Sequence, residues 1–140
     1  MQEKRLPLSG IKILIVDDEP DVLEIIKLIL IHYHAKVIAA LSAIEGLEHV
    51  QNHRPDVIVS DIGMPHMDGY QFIREVRKLS PHRGGQTPAV ALTAFTRPED
   101  QKKAMDAGFQ KHLSKPVRFE SLIDTIKSVV TTDHYRKGSR

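Results

Sequence analysis

Five times along the chain, a short run rich in β-branched residues gives way to a stretch whose apolar residues recur every three or four positions. Strand-like runs are predicted at 11–16, 36–40, 56–60, 88–92 and, briefly, 111–113. The first, third and fourth are almost continuously apolar, as parallel strands covered on both faces must be. Between them lie helical stripes: Val22, Ile25, Ile26, Ile29 and Leu30 after Pro20; Ala43, Leu47 and Val50 around Gly46; Phe72, Ile73, Val76 and Leu79; and Leu122, Ile123, Ile126, Val129 and Val130. A fourth helix over 98–107 carries Ala104 and Met105 among many charges and is expected to be the least buried. Strand and helix in strict alternation imply an α/β domain with a parallel sheet. With right-handed crossovers, the solution is a doubly wound (βα)5 sheet of five parallel strands in order 2-1-3-4-5.

One domain accounts for the 140 residues, with a core at 10–130, an N-terminal extension at 1–9 and a polar, basic tail at 131–140 that is disordered or appended. Gly84 and Gly85 are expected to form a flexible connection, and ten residues after the last helix leave no room for a helix-turn-helix module. The absence of cysteine excludes disulfides, thiolate catalysis and Cys-ligated metal sites. A net charge of +2 is too weak to favour nucleic acid as partner, and the tail's Arg136, Lys137 and Arg140 lack interleaved aromatics. The longest apolar run, 25–31, is interrupted by Lys27, so no membrane span is expected. Without a secretory signal either, the expected location is cytoplasmic.

In such a sheet, ligands bind beyond the carboxyl ends of the strands. Asp17 and Asp18 follow the first strand, Asp61 the third, Thr93 the fourth and Lys115 the fifth, whereas the second ends in Leu41 and Ser42. Taken singly, each has an ordinary reading: an acidic first turn, a turn residue, a helix cap, a solvated lysine. Together they place three carboxylates, a hydroxyl and an ammonium on one edge. Clustered carboxylates need a cation, and an all-oxygen site suits Mg2+. A carboxylate flanked by a divalent ion, a lysine and a hydroxyl is equipped to attack phosphorus, which points to an aspartyl-phosphate.

Four segments in order carry a resemblance: Ile-Val-Asp-Asp-Glu at 15–19, Ser-Asp-Ile-Gly-Met-Pro-His-Met-Asp-Gly at 60–69, Ala-Leu-Thr-Ala at 91–94 and Ser-Lys-Pro at 114–116. The chain resembles a two-component response-regulator receiver domain, with its flavodoxin-like fold. The wording around 8–14 and 107–116 is more similar to receivers of hybrid sensor histidine kinases than to those fused to DNA-binding domains. The resemblance implies Asp61 as phosphoacceptor, Asp18 as a direct Mg2+ ligand, Asp17 as one acting through water, and the Gly63 carbonyl as a further ligand. It also implies that Thr93 bonds the phosphoryl group, that Lys115 pairs with it, and that the 115–116 peptide is cis. The implied donor is a histidine kinase or histidine phosphotransfer protein. The implied output is a changed surface on the fourth helix, fifth strand and fifth helix, available to partners or a homodimer, with no multiple-turnover enzymatic activity.

Two positions depart from the family pattern: His112 stands where an aromatic switch residue is common, and Val117 where Phe is common. Gly63 and Phe95 occupy positions that tune phosphoryl lifetime in the family. Asp68 reads as a helix start, Met64 and Met67 as packing beside the site, and the spacings of His32 with His34 and His49 with His53 as solvated faces rather than zinc sites. The competing functions are a receiver-like interaction module that never uses phosphate, a Mg2+-dependent aspartyl phosphatase, for which Glu19 stands where a second aspartate belongs, and an FMN-binding flavodoxin, disfavoured by acids after the first strand.

Overall fold

The structure is a computed structural model that describes residues 7–94 and 96–138, with side chains described to residue 130. Five parallel strands, β1 (Lys12–Val16), β2 (Lys36–Ala40), β3 (Val57–Asp61), β4 (Ala89–Thr93) and β5 (Lys111–Ser114), form one sheet in the order β2-β1-β3-β4-β5. They alternate with α1 (Pro20–His32), α2 (Ala43–His53), α3 (Gly69–Lys78), α4 (Pro98–Ala107) and α5 (Phe119–Gly138). The expected doubly wound architecture is the one observed.

Each face of the sheet has its own core. On one side Leu14, Val16, Ile58 and Ala91 pack with Val50, Phe72, Ile73 and Val76 of α2 and α3. On the other, Ile13, Ile15, Val59 and Leu92 pack with Leu23, Ile26 and Leu30 of α1 and Leu122 and Ile126 of α5. Alternate residues of one strand therefore feed opposite cores, which is why β3 and β4 are buried along their whole length. Gly46 lies mid-helix because a Cβ there would sit 3.0 Å from Val16 Cγ2 and 3.1 Å from Phe72 Cε1. A larger residue there would require the Val16 and Phe72 side chains to give way.

Several expectations shift once the fold is assembled. Asp61 and Thr93 are the last residues of β3 and β4 rather than the first beyond them. The ladder continues past the apolar run because Ile62 N donates to Leu92 O (3.1 Å) and Lys115 N to Thr93 O (2.9 Å). Leu8, within the expected N-terminal extension, is fully buried, and its N–H donates to Tyr33 O. The helical backbone of α5 runs on to Gly138, eight residues past the last apolar position of its stripe. On α1 the core takes Leu23, Ile26 and Leu30, while Ile25, counted in the stripe, is 59% exposed.

The glycine pair is not a loose joint. Gly84 is buried with a φ of +103°, its carbonyl accepts from Thr87 Oγ1 (2.8 Å), and the Gly85 carbonyl accepts from Arg77 Nη1 (3.0 Å). Arg77 also donates to the Gly108 carbonyl through Nε (3.1 Å) and Nη2 (2.7 Å), clamping the end of α4 to α3. α4 itself buries only Ala104 and Ala107, as its charge content implied. Among the described residues, no helix is long and apolar enough to cross a membrane.

Candidate functional site

The carboxyl edge of the sheet brings Asp17, Asp18, Asp61, Thr93 and Lys115 to one place. The β1–β3 register sets Val16 beside Ser60, so Asp17 and Asp61, each the next residue, emerge side by side. β3 pairs Asp61 with Leu92, and β4 pairs Thr93 with Ser114, which brings Lys115 in from the far strand. One oxygen from each of Asp17, Asp18 and Asp61 lies within 4.8 Å of the others. Asp17 is fully buried, Asp61 and Thr93 nearly so, and Asp18 half-buried.

Lys115 spans the cluster: its Nζ lies 3.1 Å from Asp61 Oδ1 and 3.4 Å from Asp17 Oδ2. Its backbone is set by the bond to Thr93 O and by the cis peptide to Pro116. Burial works against the ammonium, but hydrogen bonding to Asp61, that carboxylate's charge and the Asp17 carboxylate outweigh it and hold the Lys115 pKa above the ordinary lysine value. Burial drives the Asp17 carboxyl in the opposite sense, above the ordinary aspartate value. The Glu19 N–H (2.9 Å) and Lys115 oppose that rise, and the charge of Asp61 adds to it. One lysine thus leaves a surplus of negative charge in a largely dry pocket.

That surplus is the test of an ion's fit. Three carboxylates with oxygens this close, no nitrogen or sulfur ligands and one oxygen set half open to water match the preferences of Mg2+. Among the described residues this is the only group of three or more carboxylate or imidazole ligands so placed. His49 and His53 lie 5.3 Å apart between ring centroids, tilted by 41°, but gather no third ligand, and the Nδ1 of His49 is buried without a partner.

The loop after β3 is shaped by packing as well as charge. The Gly63 N–H points at Asp61 Oδ1 at 3.4 Å. Met64 is buried and Met67 packs against the core beside it. Asp68 opens α3 with a reciprocal capping box, Asp68 Oδ1 accepting from Gln71 N and Gln71 Oε1 from Asp68 N, both at 2.9 Å. Gly69 is a site residue that motif reading undervalued. A Cβ there would overlap the Asp61 carbonyl oxygen and come within 2.7 Å of Ile62 Cα, so the helix start can press against the backbone of Asp61 only without a side chain. The Gly69 N–H donates to Ile62 O at 2.8 Å, and the Asp-Gly dipeptide was the available signal. His112 lies on β5 beside Ala91, half-buried, and Phe95 lies outside the described residues.

Comparisons with known proteins agree with this geometry. The chain is 41% identical over 110 residues to an uncharacterized 14.6 kDa protein of Leptolyngbya boryana, covering 79% of this chain and 82% of that one. It is 33% identical over 130 residues to hybrid signal transduction histidine kinase D of Dictyostelium discoideum, covering 88% of this chain but only 8% of the kinase. The chemotaxis protein CheY4 of Vibrio cholerae superposes with a TM-score of 0.79 at 32% identity, over 87% of this chain and 98% of that one. The family profile described as "Response regulator receiver domain" matches residues 13–127, the span from the second residue of β1 into α5 that holds every side chain of the pocket. The chain therefore belongs to the receiver-domain family of two-component response regulators.

Proposed function

We infer that Asp61 accepts a phosphoryl group from a phosphohistidine with Mg2+ present, and that its phosphorylation switches partner binding. The single observation that supports this most is the Asp61 carboxylate held 3.1 Å from the Lys115 ammonium beside two further carboxylates. In the transfer, an Asp61 carboxylate oxygen forms the new O–P bond as the P–N bond to the donor imidazole breaks, and the imidazole leaves with the bonding pair. Asp18, Asp61 and the Gly63 carbonyl would hold the ion, with Asp17 assisting. Such an ion would supply charge neutralisation at the phosphoryl oxygens. Lys115 supplies fixed positive charge on the same side, and Thr93 supplies a hydroxyl at the end of the adjacent strand.

Switching follows from the added charge. Phosphorylation replaces the single charge of the Asp61 carboxylate with about two on the phosphoryl group, a net gain of about one, in a pocket whose single ammonium already serves two aspartates. Thr93 and the chain after it move toward the new oxygens and shift the α4–β5–α5 surface, where a partner or a second copy reads the change. α4 is the element able to respond, since two alanines are all it buries. The chemistry is stoichiometric, one group gained and later lost to water. The donor is a histidine kinase or histidine phosphotransfer protein, in a cytoplasmic setting.

Incubation with Mg2+ and acetyl phosphate tests the reading by intact mass. One phosphoryl group should be gained, and none by Asp61→Asn. A gain surviving in that variant, or none in the wild type, would leave a phosphate-independent interaction module as the better account.

A further inference from the structure

We propose that the unphosphorylated chain self-associates through the outer face of α1, packed antiparallel against the same helix of a second copy. α1 is apolar nearly all round, which a helix packed on one sheet face does not require. Opposite its buried stripe lie Asp21, Ile25, Leu28 and His32, all exposed, with Ile25 at 59% and Leu28 at 57%. Their spacing of four, three and four is the seam of a two-stranded coiled coil.

The seam is self-complementary. Under a two-fold axis between positions 26 and 27, Ile25 meets Leu28 of the other copy, and Asp21 meets His32, a carboxylate against an imidazole N–H. Half-buried Val22 and Ile29 flank the seam on one side and pair across it. Exposed Glu24 and Ile31 do so on the other. The buried residues Leu23, Ile26 and Leu30 take no part, so the contact asks nothing of the existing core. Antiparallel packing also sets the two helix dipoles in opposition.

The apolar surface extends past the seam toward the pocket. Val22, Ile25 and Ile29 form one wall of a groove of about 420 Å3 whose other wall is Lys115, Pro116 and Val117. At its opposite end, Leu28 and Ile29 border a second hollow reaching Phe119, itself 42% exposed. A helix pair of this length buries on the order of 1,000 Å2 in total, the low end for a specific interface, so association is weak and concentration-dependent. Because Lys115 lines the groove, the second copy stands over one rim of the phosphorylation pocket. A macromolecular donor then has to displace it, while a small phosphodonor does not.

Sedimentation velocity on the full chain over a wide concentration range tests this. A reversible dimer is expected, weakened ~10-fold or more by Leu28→Glu with an unchanged thermal melt, since Leu28 is exposed. Asp21→His alone should weaken the dimer, and combining it with His32→Asp should restore it, a readout tied to the antiparallel register. A chain that stays monomeric into the high-micromolar range overturns the proposal, as does a Leu28→Glu variant that dimerises like the wild type. If the chain is monomeric and Leu28→Glu slows uptake from a protein phosphodonor but not from acetyl phosphate, the seam belongs to the donor and self-association is excluded. None of these readouts depends on which residue is phosphorylated.

Discussion

Asp17 shows what the pocket costs. It is fully buried beside a second carboxylate, and its pKa is raised in the folded chain. Stability from such a group is fully present below the unfolded pKa and is lost as pH rises through the folded one. In chelator, Asp17→Asn should therefore be more stable than wild type at neutral pH, by about 1 kcal/mol or roughly 4 °C in melting temperature, with the gap closing toward acid. A gap that widens toward acid would contradict the assignment. Mg2+ should stabilise the wild type by about 2.7 kcal/mol at a hundredfold excess over Kd, and Asp18→Ala should lose most of that shift. Gly69→Ala should cost roughly 2–4 kcal/mol, because the new Cβ meets the Asp61–Ile62 backbone, which cannot swing aside as a flexible side chain could. A denaturant titration of that variant gives the number directly.

At the scale of elements, the fold is held asymmetrically around α4. Its C-terminal end is fixed by the Arg77 bonds to Gly108 and by Phe109 in the core, while at its N-terminal turn Arg97 and Glu99 lie at the surface, Arg97 pairing with the less exposed Asp100. Any rearrangement of α4 thus pivots about the Gly108 end. Arg77→Ala leaves the Gly108 and Gly85 carbonyls without that donor, at a cost of about 2–4 kcal/mol. Hydrogen exchange should quicken first at Gly108, Phe109 and Gln110. Uniform loss of protection would show that Arg77 has no local role. A long-range bond from a helix's last turn to two loop carbonyls has no sequence signature, since Arg77 reads like any solvated arginine on α3. The one-residue shift of β3 and β4 toward their carboxyl ends was equally invisible, because ladder bonds at Ile62 and Lys115 depend on the neighbouring strand rather than on side-chain type.

At the scale of the molecule, the sheet's strand order is what couples chemistry to surface. β1 and β3 bring the acids together, and β4 and β5, on the side of α4, bring Thr93 and Lys115. On the proposed reading, Lys115, which reaches both Asp17 and Asp61 from the end of β5, links the metal-binding acids to the surface that responds. Lys115→Ala should keep Mg2+ binding yet lose about 1–3 kcal/mol of coupling between phosphorylation and the α4–β5–α5 surface. Comparing NMR shifts in that region with and without acetyl phosphate measures it. An undiminished response would remove Lys115 from the relay.

Alternating runs of β-branched and helix-spaced residues determined the layers, the parallel strands and their order, because a strand covered on both faces must be apolar throughout and crossovers have one hand. They also determined which side chains share an edge, since position at a strand's end is a matter of counting. Tertiary structure alone decided which face of α1 went inward: Ile25 and Ile26 are equally apolar, and only the sheet's position sends one to the core and the other to solvent. It decided likewise that Leu8 joins the core under α1 and α5 and that Gly69 must lack a side chain. Those outcomes arise where two distant segments compete for the same few ångströms, and no local pattern records that competition.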